Sequence, residues 1–103
     1  FGRTIVHLGS AEIVERTAPP KDVDLLLMCV AGWQSSERFP ERVARALDPK
    51  AILLSHWDNF FDPLDRPVRA LPAMGVQKLT DRLLAVARDA KIGAVPLLGE
   101  VVI

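Results

Sequence analysis

Much is excluded for this chain by what it has little of. It holds one cysteine, Cys29, set inside the apolar run Val23-Asp24-Leu25-Leu26-Leu27-Met28-Cys29-Val30. A lone thiol forms no internal disulfide, and in an apolar strand it reads as a reduced core residue whose thiolate is suppressed, which disfavours a catalytic thiol. Charge of one sign is equally lacking. The 13 basic and 13 acidic side chains cancel, so bulk charge gives no reason to expect nucleic acid or an anionic membrane as partner. No apolar run approaches the roughly 20 residues that cross a bilayer, and the N-terminus lacks the basic-then-apolar pattern of a secretory signal. The expectation is a cytoplasmic protein with neither membrane nor nucleic-acid partner. Internal repeats, heptad runs and low-complexity segments are missing too.

What is present is 103 residues, 50% of them apolar, the profile of one globular domain. Residues 4–8 read as a strand ended by Gly9-Ser10. Residues 24–30 read as a second strand, buried on both faces because its apolar run is continuous rather than alternating. A turn at 17–21 lies between them. The loop 31–36 leads to a short helix with Pro40 in its first turn, Val43, Ala44 and Leu47 on its apolar face, and Asp48-Pro49 as its stop. Residues 51–55 form the third strand, followed by a long connection that contains Pro63, Pro67 and Pro72. Gly75 opens a second helix, with Val76, Leu79, Leu83, Val86 and Ala90 at helical spacing and Lys91-Ile92-Gly93 as its end. Two short strands, 94–97 and 100–103, close the chain, Pro96 pointing to an edge.

Alternating strands and helices give an α/β fold, a mixed sheet with helices on one face. Two helices cover only one side of a sheet whose strands are apolar on both, so something else has to cover the other. Phe1 is not an initiator methionine and the first strand starts almost without lead-in, as in a chain cut from something longer. The cover is therefore expected to be either a second copy, making a homodimer, or a missing N-terminal half.

The richest stretch is Ser55-His56-Trp57-Asp58-Asn59-Phe60-Phe61-Asp62-Pro63-Leu64. It puts a metal-capable imidazole at the end of a buried strand, where α/β proteins bind ligands. Together with Asp22-Val23-Asp24-Leu25-Leu26-Leu27 and the turn Val6-His7-Leu8-Gly9-Ser10, this stretch resembles the C-terminal half of a metallo-β-lactamase-fold hydrolase, nearest the lactonase-like branch. The resemblance spans most of the chain. It implies half of an αββα sandwich, with zinc or another divalent metal in the intact architecture. His56 matches the last metal-ligating histidine, and Ser10 falls where the family places a bridging aspartate. The N-terminal His-x-His-x-Asp-His motif of that family is absent from this sequence.

Each candidate has a plainer reading beside the functional one. His56 is either a metal ligand or a strand-end histidine bonded to backbone. His7 is a rim or core histidine before it is a ligand. Asp58 either orients His56 or caps a loop. Trp33, Trp57, Phe60 and Phe61 are candidates for an apolar pocket wall, although aromatics beside a strand end more often pack the core. Ser10 is a cleft hydrogen-bonding group or a turn residue. With one firm imidazole against the three or four donors that zinc needs, the chain by itself is expected to bind no metal and to be inactive. Two functions remain: part of a metal-dependent hydrolase acting on a lactone, ester or phosphodiester, or a non-catalytic association domain with an eroded metal site.

Overall fold

The computed structural model describes residues 2–70 and 72–94. Its strands are β1 (Ile5–Leu8), β2 (Leu25–Cys29), β3 (Ala51–Ser55) and β4 (Lys91–Ala94), and its α-helices are α1 (Phe39–Leu47) and α2 (Val76–Val86). The strands form one sheet in the order β1-β2-β3-β4. The α/β class is as expected, while every described pairing is parallel where a mixed sheet was anticipated. A parallel sheet places all its carboxyl ends on one edge, and those of β1, β2 and β3 are the segments at Gly9-Ser10, Val30-Ala31 and His56. No helix among the described residues is long and apolar enough to cross a membrane.

Alternation along the strands sorts the side chains into two sets. Leu26, Met28, Ile52 and Leu54 face the helices and are buried with Phe39, Val43, Leu47, Leu79 and Leu83. In α1, Phe39, Pro40, Val43, Ala44 and Leu47 fall on one side of the helix and are all buried. Pro40 is tolerated in the first turn because the amide it lacks would have no partner there. Between the two helices, Arg82 donates twice to Glu41, at 2.8 Å each, with its guanidinium 5.4 Å from the Trp33 ring centroid. The Arg82 guanidinium beside Glu41 holds that carboxyl below its ordinary pKa. Below the sheet's other end, Asp24 accepts the Thr4 amide at 2.8 Å and Lys50 Nζ at 3.1 Å, tying β1, β2 and β3 at their starts.

α2 ends at Val86, four residues earlier than its apolar spacing predicts, and the residues read as its stop become β4. The sheet explains the change. The Lys91 amide donates to the Lys50 carbonyl at 3.0 Å, and Ile92 pairs with Ile52, so the edge of β3 is satisfied by a strand rather than left open. The closing strand expected at 94–97 lies outside the described residues beyond Ala94, as does the one at 100–103.

Candidate functional site

The set of side chains pointing away from the helices is also apolar. Ile5 pairs with Leu25, and His7, Leu27, Leu53 and Gly93 run across the sheet in register. No helix among the described elements lies on this side. Its carboxyl-edge half is roofed by the connection after β3. That connection is built rather than slack: Asp58 bridges Ala70, the Asn59 amide donates to the Arg69 carbonyl at 2.7 Å, and Arg69 Nε donates to Asp62 at 2.7 Å. The Arg69 guanidinium holds the Asp62 carboxyl below its usual range. Between roof and sheet is a cavity of about 420 Å³, with Leu27 and Leu53 on its floor and Phe60, Pro63, Leu64 and Val68 in its wall. Such a volume falls within the range of small-molecule sites.

His56 is among the residues that line this cavity. Its φ is 56°, in the left-handed region that non-glycine residues enter at a cost. Histidine is among the side chains enriched there, and Ala18, Asp22, Arg38, Asp48 and Ala73 adopt the same region outside the cavity. The turn is held by β2: the Val30 amide donates to the Ser55 carbonyl at 2.9 Å and the Ala31 amide to the His56 carbonyl at 3.1 Å. The imidazole is held as well. Its Nδ1 lies 3.6 Å from the Cys29 sulfur, and the Phe60 ring packs against it with centroids 5.3 Å apart. Cys29 is buried beneath, and that burial raises its thiol pKa, in keeping with a reduced core cysteine.

The expected site residues divide. His56, His7, Trp57, Asp58 and Phe60 line the cavity together, and His7 does so as an exposed residue on the open sheet face. Trp33 does not join them. It is 2% exposed in the helix-side core, its Nε1 donating to the Met74 carbonyl at 2.6 Å. The reason is local, since Gly32 at φ 83° turns the chain back over the helices at the end of β2. Ser10 sits exposed in a bend beyond β1 and does not line the cavity. Phe61 projects outward at 77% exposure. Sequence reasoning missed Leu27, Leu53, Leu64 and Val68 as lining, and Cys29 as the neighbour of His56. The alternation along β2 signals Leu27 and Cys29, which are on the same side of that strand.

Among the described residues no three histidine, cysteine or carboxylate side chains gather closely enough to hold a metal ion. Of the potential donors lining the cavity, His7, His56, Asp58 and Asp62, no three converge as a metal centre needs. Comparison with family models, with curated proteins and with solved structures finds no match to this chain.

Proposed function

We propose that this chain is the C-terminal half of a metal-dependent hydrolase of the metallo-β-lactamase type, contributing His56 to a site completed by a second polypeptide body laid on the open sheet face. The observation that carries the reading is His56 itself: a strained histidine at the carboxyl edge of a parallel sheet, fixed by β2 and opening on an apolar cavity. The cavity wall of Phe60, Leu64 and Val68 suits the carbon skeleton of a lactone, an ester or an organic phosphodiester. Asp58, also on the lining, supplies a carboxylate near the reacting end. The remaining donors, and any metal, come with the covering body in this reading. Its cover is an N-terminal companion half, which would bring the metal-binding motif that this sequence lacks.

The test is metal content together with intact mass of the native assembly, before and after His56→Ala. A stoichiometric divalent metal that is lost in the variant supports the reading; metal content unchanged by the variant overturns it.

A second reading has its own observation. Ile5 is 57% exposed on a face otherwise lined by Leu25, Leu27 and Leu53, which suits a non-catalytic association domain that self-pairs as a homodimer. A metal-free dimer in light scattering, dispersed by Ile5→Asp and without hydrolase activity, would favour it.

A further inference from the structure

We infer that Cys29 is the positioning residue of His56: its sulfur accepts the Nδ1 proton, and the Nε2 lone pair is thereby the one presented to a ligand. The inference rests on the reading of His56 as a donor residue and adds what sets the state of its ring. A neutral imidazole carries one proton, and the partner of one nitrogen decides the role of the other. Here Nδ1 faces sulfur at 3.6 Å.

Two arrangements are open to that contact, and the surroundings choose between them. Were the thiol to donate to Nδ1, the ring proton would sit on Nε2 and the cavity would meet only a donor. The thiol proton has another destination. Cys29 Sγ lies 4.0 Å from the Ala31 carbonyl oxygen, a long contact for sulfur but the one directed at that oxygen. No backbone amide among the described residues donates to the Ala31 carbonyl, whereas the Ala31 amide is already committed to the His56 carbonyl. A partly buried carbonyl draws whatever donor is at hand. With its proton turned to Ala31, the sulfur offers a lone pair to Nδ1–H. A thiolate would have no proton to give and would leave the ring in the same tautomer, so the assignment does not depend on how Cys29 titrates.

The consequence is a short relay, from the Ala31 carbonyl through the Cys29 thiol to Nδ1–H. It does for His56 what carboxylates and carbonyls behind ligating histidines do elsewhere: it fixes the tautomer and the ring plane. The ligand so served is one that takes a lone pair rather than one that accepts a hydrogen bond. Sulfur in place of a carboxylate keeps the support uncharged, which a strand position only 4% exposed requires.

The experiment is long-range proton–nitrogen correlation spectroscopy of the histidine rings in the 15N-labelled, chelator-treated protein, at a pH where the imidazoles are neutral. His7→Gln assigns the two ring systems. The expected result is a pyrrole-type Nδ1 and a pyridine-type Nε2 for His56, kept in Cys29→Ser and lost in Cys29→Ala, whose ring shifts toward the Nε2–H form. A wild-type His56 with its proton on Nε2 overturns the inference whether or not either variant folds, and so does a folded Cys29→Ala with an unchanged ring. The spectrum reads the ring alone. Its failure would leave the hydrolase reading standing, and a correct tautomer with no metal in the native assembly would sink the hydrolase reading but not the relay.

Discussion

The two faces of the sheet are built from neighbouring residues of the same strands, yet they have opposite fates. On one, Leu26, Met28, Ile52 and Leu54 meet two helices and become part of a closed core. On the other, Leu27 and Leu53 meet a proline-bearing connection that roofs only the carboxyl edge, and beyond the roof Ile5, paired with Leu25, is left 57% exposed. The cavity and His56 belong to the second face. The difference teaches where the fold is held and where space remains: the closed face can lose little without cost, while the open one carries the cavity.

Substitutions on the two faces should separate accordingly. The largest effect is expected for Trp33→Ala, which empties a fully packed position on the helix side and should lower unfolding free energy by about 3–5 kcal/mol in urea titration. A loss under about 1 kcal/mol would return Trp33 to the pocket wall, one of the two readings its sequence position allows. Adjacent leucines give the sharpest contrast. Leu26→Ala should cost about 3 kcal/mol, whereas Leu27→Ala, half-buried on the cavity floor, should cost about 1 kcal/mol; equal losses would mean that the two faces are not distinct.

Acid titration probes the closed face through its helix pairing. Glu41 has a depressed folded pKa because Arg82 donates to it. Its contribution is therefore present above the unfolded carboxyl value, near pH 4.5, and is lost as pH falls through the folded one. Being partly solvated, the pair should be worth under about 1 kcal/mol. Glu41→Gln should flatten the acid limb of the stability profile, and an unchanged limb would remove the pair from the account. The smallest effect carries the opposite sign. His56→Gly replaces a side chain held at φ 56° and should raise stability by about 0.5 kcal/mol, the relief of left-handed strain set against the larger unfolded-state freedom of glycine. A marked loss instead would show His56 to be a structural member of the core.

Much of the fold was legible because periodicity is local. The continuous run at 24–30 announced a strand buried on both faces, and Phe39-Pro40 with Val43 and Leu47 announced an amphipathic α1. The end of α2 was not legible, since the helical spacing of Val86 and Ala90 competes with the pairing of Lys91–Ala94 to β3, and only the sheet edge decides that contest. At the site, His56, Trp57, Asp58 and Phe60 lie within one short stretch of sequence and are legible together. Cys29 and Leu27, distant in sequence, reach His56 and the cavity only through strand register.

The sequence by itself determined the α/β class, a sheet apolar on both sides, and a histidine at the end of its third strand, because each follows from spacing within a few residues. Tertiary structure alone decided that Trp33 turns into the core, that the connection after β3 roofs one edge, and that a buried thiol lies 3.6 Å behind the imidazole. Those outcomes depend on which strands are neighbours and which side chains compete for the same space, and no local pattern carries that information.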